Sequence, residues 1–275
     1  MFLQCGKVRL SLARPLVMGV VNVTPDSFSD AGEFATTRAA LARAHQLIEE
    51  GADILDIGGE STRPGSGGVA LEEERRRVLP VLERLAAGAV PVSVDTQKPQ
   101  LMREAIAAGA AMINDINALQ APEALDVVAA SNVAVCLMHK QGTPAAMQLS
   151  PRYDDVVTEV LKFLADRVQA GRAAGIAADR LVIDPGFGFG KTLEHNLELF
   201  RALGRFADTG VTLLAGLSRK SMLGRITGRE VHERVFASVA AALMAVEKGA
   251  RIVRVHDVAA TRDALAVRAA VNGID

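Results

Sequence analysis

Eight short apolar runs recur along the chain, at residues 17–23, 54–57, 90–94, 112–116, 133–138, 181–183, 211–217 and 251–255. Each is followed by a stretch with helical spacing of apolar residues, at 37–50, 71–87, 99–108, 122–130, 154–174, 193–206, 231–248 and 259–272. The strand runs are continuously apolar rather than alternating, the mark of parallel strands covered on both faces. Gly51, Gly109 and Gly249 each stand after a helical pattern and just before a strand, where a left-handed residue stops a helix. Eight such units in 275 residues predict an α/β fold, a (β/α)8 TIM barrel forming a single domain over residues 15–275. The competing arrangement is an open doubly wound sheet, whose Gly-rich dinucleotide fingerprint is absent. Residues 1–14, with Val8, Leu10 and Leu12 alternating, predict a short N-terminal hairpin that plugs the lower end of the barrel.

Composition narrows the function. A formal net charge of −1 leaves no basic field to gather nucleic acid or an anionic membrane. The longest apolar run, 235–246, is interrupted by Ser238 and is too short to span a bilayer. Residues 1–7 lack the basic start and apolar core of a signal peptide. Cys5 and Cys136 lie far apart in apolar surroundings, which fits free thiols in a reducing cytoplasm. The expected partners are therefore small molecules.

The residues at the C-terminal ends of barrel strands converge on one mouth. Here those ends read Asn22, Asp56, Asp95, Asn114 with Asp115, Met138 with His139, Asp184, Ser218-Arg219-Lys220, and Arg254 with His256 and Asp257. Thr62 and Arg63 lie just beyond the second strand. The opposite ends carry mostly Ala, Gly, Pro and Val. Asp95, Asn114 and Asp184 suit a flat heterocycle with several N–H donors, because an ionised carboxylate only accepts. Thr62, Arg63, Ser218, Lys220, Arg254 and His256 suit a phosphate or diphosphate. Asn22 could hold a hard cation accompanying it, since magnesium takes few protein ligands.

Asp184 closes a short apolar strand and is followed at once by Pro185-Gly186. A carboxylate there needs donors: either turn N–H groups or a ligand's paired N–H groups. The stretch Gly186-Phe-Gly-Phe-Gly-Lys191 lacks the spacing of a phosphate-binding loop, because Pro185 stands where the first Gly is required. It reads as a tight loop that turns Phe189 into the mouth, with Lys191 as its cap. Two connections, 24–36 and 58–70, exceed the usual 2–6 residues and read as ligand loops. His45, His195 and His232 fall on helical patterns and read as solvated. The charge run from Glu72 to Arg77 reads as a solvated helix face. His139 is open between a structural and a ligand-adjacent role, and Met138 reads as a wall against a flat ring.

Taken together, eight blocks resemble the dihydropteroate synthase family. They are Met18-Gly-Val-Val-Asn-Val-Thr-Pro-Asp-Ser-Phe-Ser-Asp30, Asp56-Ile-Gly-Gly-Glu-Ser-Thr-Arg-Pro-Gly65, Val94-Asp-Thr96, Ile113-Asn-Asp-Ile116, Met138-His139 with Gln141-Gly-Thr-Pro144, Asp184 to Lys191, Gly216-Leu-Ser-Arg-Lys-Ser221 and Arg254-Val-His-Asp257. Ala31 and Lys140 depart from the pattern, both in loops. The resemblance implies a pterin-binding barrel enzyme of folate biosynthesis, a transferase that forms a C–N bond. It would join 4-aminobenzoate to 6-hydroxymethyl-7,8-dihydropterin diphosphate with Mg2+ as cofactor, act as a homodimer, and be inhibited by sulfonamides. Carried over by residue, Asp95, Asn114, Asp184, Lys220 and Met138 would hold the pterin. Asn22, Thr62, Arg254 and His256 would hold the diphosphate, with Asn22 also on the metal. Arg63, Pro64, Phe189, Lys220 and Ser221 would border 4-aminobenzoate. The resemblance assigns catalysis to Asp95, Asp184, Lys220, Arg254 and His256. A corrinoid-dependent methyltransferase domain could share the pterin cluster, but would not need Arg254, His256 or the block from Ser218 to Ser221. A non-catalytic pterin-binding relative would be expected to lack the long loops or the Lys220 and Arg254 cations.

Overall fold

The computed structural model describes residues 1–23, 33–61, 67–143 and 146–273. Strands β1 (Phe2–Cys5) and β2 (Val8–Ser11) form an antiparallel hairpin in which Cys5 pairs with Val8. The chain then alternates: β3 (Leu16–Asn22), α1 (Glu33–Glu49), β4 (Ile54–Gly58), α2 (Leu71–Leu85), β5 (Val92–Asp95), α3 (Pro99–Ala107), β6 (Met112–Asp115) and α4 (Ala124–Ala129). It continues with β7 (Ala134–Met138), α5 (Val156–Ala173), β8 (Leu181–Asp184), α6 (Leu193–Arg201), α7 (Leu203–Ala207), β9 (Thr212–Ala215), α8 (Ser221–Thr227), α9 (Val235–Glu247), β10 (Ile252–Val255) and α10 (Val258–Asn272). Strands β3 to β10 close into a barrel in sequence order, with β10 beside β3 and every pair parallel. The expected (β/α)8 barrel and N-terminal hairpin are both present. No helix among the described residues is long and apolar enough to cross a membrane.

Successive strand residues face opposite sides of the sheet. Outward positions such as Val17, Leu55, Ile57, Val94, Ile113, Val135, Ile183, Leu213 and Val253 join the large core under the helices. Inward positions Leu16, Met18, Ile54, Met112, Ala134, Cys136, Val182, Leu214 and Ile252 form a second core, completed by Leu3, Cys5 and Leu12 from the hairpin segment. Gly6 at the hairpin turn donates its N–H to the Asn132 carbonyl just before β7 (3.1 Å). The hairpin therefore closes the end from which the strands start, and the interior there is dry and apolar.

Two helical expectations need correction, and one helix stands where none was expected. Residues 193–206 form two helices, broken at Ala202, because the bend turns Leu203 and Phe206 fully into the core. Residues 231–248 split into one tight turn at Val231–Glu233 and the helix α9. Helix α8 was not anticipated. Its stop signal is Gly228, left-handed at φ 71°, but its start lies inside the polar block that reads as a mouth loop.

The hairpin belongs to the folding core. Leu3→Ala removes a fully buried side chain and should lower the unfolding free energy by about 2–4 kcal/mol, measured by urea denaturation. Leu149→Ala, at an 84% exposed position, should stay within about 0.5 kcal/mol. A loss below about 1 kcal/mol for Leu3→Ala would show that the plug is dispensable.

Candidate active site

The site follows from period-two alternation. Two residues beyond the apolar inward positions Ile54, Met112, Val182 and Ile252 come Asp56, Asn114, Asp184 and Arg254. Asp95 ends β5 beside Asn114 in the ladder register, and Met138 pairs with Asp184. A polar layer thus rests directly on the plug. The Arg254 guanidinium spans it, donating from Nε to Asp56 Oδ2 at 2.6 Å and from Nη2 to Asp95 Oδ2 at 3.0 Å. Asn114 donates its amide to the same Asp56 oxygen at 3.1 Å. Gly216 lies over this layer: a Cβ there would sit 3.7 Å from Asp184 Oδ2 and 3.9 Å from Arg254 Cβ. Asp184 accepts the Gly186 N–H at 2.8 Å through Oδ1, so the turn supplies one of its donors. The other oxygen, Oδ2, accounts for no hydrogen bond among those of the described residues.

Burial sets the charge states. It pushes the Asp95 carboxyl up to about 7, against the pull of Arg254 and with help from Asp56. It also raises Asp184, opposed by the Gly186 N–H and Lys220. Lys220 is pushed down to about 8 by burial, with Asp184 opposing. Burial works against the Arg254 charge as well, but Asp56 and Asp95 outweigh it and hold its pKa above the ordinary value.

Phe189 joins Met138, Ile116 and Met147 in a small apolar cluster, and Lys220 Nζ lies 4.1 Å over its ring centroid, a cation–π contact. Met138 packs in this cluster, and so does Met147, which no sequence signal marked. Ser221 is the exposed first residue of α8. His256 accepts from or donates to Ser218 Oγ through Nδ1 at 3.0 Å, and its backbone N–H donates to the same oxygen at 3.2 Å. Arg219, at φ 58°, pairs with both Asp257 oxygens at 3.1 and 2.5 Å, so it faces its acidic neighbour. Asn22 and His256 line one hollow of about 550 Å³ with Arg43, Arg219 and Asp257.

Some sequence-level readings change. Asp115 is turned into its own loop, accepting the Asn117 and Leu119 N–H groups at 2.7 Å each. His139 is buried and has a structural partner, Lys191, whose Nζ lies 3.0 Å from its Nδ1. His195 is not merely solvated. It closes a capping box with Thr192 and meets Tyr153 edge-on at 5.0 Å. Within the charge run, Glu74 is fully buried and receives Lys98 together with Glu60. Helical periodicity explains this, because Glu74 shares the inward face of α2 with Val78, Val81, Leu82 and Leu85. Thr62, Arg63 and Pro64 lie outside the described residues, as do residues 24–32 of the first long loop and all of 62–66 in the second.

Comparison with known proteins decides the family. The model of the family described as pterin binding enzyme matches residues 18–256. The curated dihydropteroate synthase of Neisseria meningitidis serogroup C is 52% identical over 267 residues, covering 95% of this chain and 94% of that protein. The chain belongs to the dihydropteroate synthase family. The Escherichia coli dihydropteroate synthase is 48% identical, covering 94% of this chain and 92% of its own. The solved Xanthomonas albilineans dihydropteroate synthase with 4-aminobenzoic acid superposes at a TM-score of 0.94, with 56% identity over 100% of this chain and 99% of that one. The Burkholderia cenocepacia dihydropteroate synthase complexed with 7,8-dihydropteroate gives 0.89, with 52% identity over 99% and 96%. As a member of the dihydropteroate synthase family, the chain is an enzyme, a transferase.

Both mouth histidines should be neutral throughout the working range of a dihydropteroate synthase. Burial, aided by Arg254, pushes His256 down to about 3, and burial with Lys191 pushes His139 down to about 3. Their folded values lie below the unfolded value of about 6.5, so their stabilising contribution is present above that pH and lost as pH falls through the folded values. The imidazole resonances of both should stay flat between about pH 8 and about pH 5 in an NMR titration. A midpoint near the ordinary value for either residue would contradict this environment.

Proposed function

We propose that the chain condenses 4-aminobenzoate with 6-hydroxymethyl-7,8-dihydropterin diphosphate, giving 7,8-dihydropteroate and diphosphate. The observation that carries this reading is the buried polar layer, in which acceptors and cations interlock over an apolar floor. Asp95, Asn114 and Asp184 present oxygens to the N–H groups of a flat bicyclic ring, with Met138 against its face. Asp184 Oδ2, with no hydrogen bond among those of the described residues, would accept from such a donor. Lys220 borders the same ring and, with Phe189 and Ser221, the amine; the family resemblance adds Arg63 and Pro64 there, which lie outside the described residues.

The arylamine is a neutral nucleophile, so the demanding event is loss of diphosphate from the methylene carbon. The C–O bond breaks and its electron pair leaves on the diphosphate oxygen. The amine lone pair then forms the C–N bond, and the amine gives up a proton. We infer an SN1-like displacement. Asp95 and Asp184 lie against the ring on which positive charge grows; that charge favours their ionised forms over the neutral forms that burial favours, and the carboxylates then stabilise it. A guanidinium has five N–H donors. Arg254 spends two on Asp56 and Asp95, and five minus two leaves three for the departing diphosphate. Neutral His256, steadied by Ser218, and Thr62 add donors. The loops 24–36 and 58–70 would exclude water, the competing nucleophile.

The donor set fits Mg2+ as an ion held mainly by substrate. Among the described residues no group of three or more His, Cys, Asp or Glu could hold a metal. The half-buried Asn22 instead lines the hollow together with His256, and its amide carries one hard oxygen. One hard oxygen suits an ion that keeps its waters and takes phosphate oxygens. Asn22 would hold it, and when bound it would neutralise charge on the leaving group.

A homodimer is part of this proposal. Phe236 and Met244 on α9, and Val267 and Val271 on α10, are 88%, 52%, 64% and 78% exposed, more apolar surface than a lone helix pair ordinarily shows water. Phe236→Asp should then shift the protein to monomer in analytical ultracentrifugation. A wild type that sediments as a monomer at about 50 μM would end the idea.

The function is tested by incubating the protein with pterin diphosphate, 4-aminobenzoate and Mg2+ and following diphosphate release. Release should depend on the amine, and release that ignores it would reject the synthase. Asp184→Asn should cut kcat/KM by at least about 100-fold (about 2.7 kcal/mol) with the far-UV circular dichroism unchanged. Near wild-type turnover in that variant would remove the carboxylate from the mechanism.

A further inference from the structure

Lys191 is 3% exposed, and burial pushes its pKa down to about 7 with Asp184 opposing. A buried ammonium is costly unless its donors are all used. It has three, and three acceptors surround it: His139 Nδ1 at 3.0 Å, the Gly186 carbonyl at 2.9 Å and the Phe189 carbonyl at 3.0 Å. The His139 carbonyl is a longer fourth contact at 3.4 Å. These acceptors come from two different strand-to-helix connections, those after β7 and β8.

Gly186 and Phe189 begin and end one turn, which the Phe189 N–H closes onto the Gly186 carbonyl at 3.2 Å. The turn lies flat on the segment after β7. A Cβ at Gly186 would stand 1.9 Å from the His139 carbonyl oxygen, and one at Gly190 2.3 Å from that of Gln141. Other fastenings hold other points of the loop. Asn196 accepts the Gly188 N–H at 2.7 Å, Gln148 donates to the Gly188 carbonyl at 2.5 Å, and Tyr153 donates to the Gly190 carbonyl at 2.9 Å. The Phe189 carbonyl is held by Lys191. Lys220 depends on the result, because its Nζ sits 4.1 Å over the Phe189 ring and a Cβ at Gly188 would touch its Cδ at 3.3 Å.

We propose that Lys191 is a positioning residue: it pins the Phe189 end of the loop to His139 and so sets the wall, and the Lys220 ammonium above it, that 4-aminobenzoate meets. Lys220 borders the pterin too, but Asp184 keeps its place by strand pairing in the β8 ladder while Phe189 is held by its loop, so the aminobenzoate side depends on Lys191 more than the pterin side does. The inference rests on the proposed reaction for what Phe189 faces, and its test separates the two.

The substitutions are Lys191→Met, which keeps the length and loses every donor, and Lys191→Gln, whose amide stays polar but is one atom shorter and does not bridge His139 and the Phe189 carbonyl at once. In both, the KM for 4-aminobenzoate should rise about tenfold. The Kd for a pterin lacking the diphosphate, measured by calorimetry, should stay within about threefold of wild type. Lys191→Gln decides the matter where Lys191→Met does not fold. An unchanged aminobenzoate KM, or the two constants rising by the same factor, would overturn the positioning role and leave Lys191 a general staple. Wild-type protein in the same assay reports separately: absence of amine-dependent diphosphate release rejects the reaction, whatever the variants do.

Discussion

A closed barrel of eight parallel strands must fill its own interior, and the way this chain does so fixes everything else. Side chains point inward at every second residue. At the first inward level they are Leu, Met, Ile, Val and Ala, capped from below by Leu3, Cys5 and Leu12. At the next level they are Asp56, Asn114, Asp184 and Arg254. The apolar floor excludes water from beneath the charges, so those charges act at a low effective dielectric where each contact counts for more.

That layer survives because it is nearly neutral by pairs. Taking one ion out of water costs several kcal/mol after relaxation, and removing one member of a buried pair costs about 3–5 kcal/mol. Arg254 answers both Asp56 and Asp95, while Lys220 and Lys191 bear on Asp184. Arg254 keeps its charge because two carboxylates outweigh its burial, whereas Asp95 is pushed toward neutrality. A layer with strained charge states and unspent hydrogen-bonding capacity is poorly satisfied by itself, which is the condition for recognising a ligand rich in donors and carrying an anion. One oxygen of Asp56 is buried without a partner among the described residues.

Much of this was legible in the strand ends. Continuous apolar runs pointed to parallel pairing, and eight such units without a dinucleotide fingerprint favoured a closed barrel over an open sheet, which puts the strand ends Asn22, Asp95, Asn114, Asp184 and Arg254 on one rim. Other features were hidden by local pattern. Glu74 sits in a run of charges whose composition says surface, yet its helix phase says core. Helix α8 starts at a residue given a role at the mouth, so its propensity was overlooked. Asp56 stood among the polar strand ends but drew no role, although its place two residues past Ile54 puts it in the polar layer. Met147 approaches from a loop with no periodic signal, and only the folded cluster reveals it.

The sequence by itself determined the alternation of strand and helix, the polar and apolar ends of the barrel, and the residue types that converge at the mouth, because these depend on periodicities of two and 3.6 that are local. Tertiary structure alone decided which charges meet. Arg254 pairs with Asp56 across 198 positions of chain, and Lys191 joins two connections through His139 and Phe189. Such pairings are set by how the strands stagger as the sheet closes and by how deep each group is drawn from water, and both are properties of the whole barrel rather than of any segment.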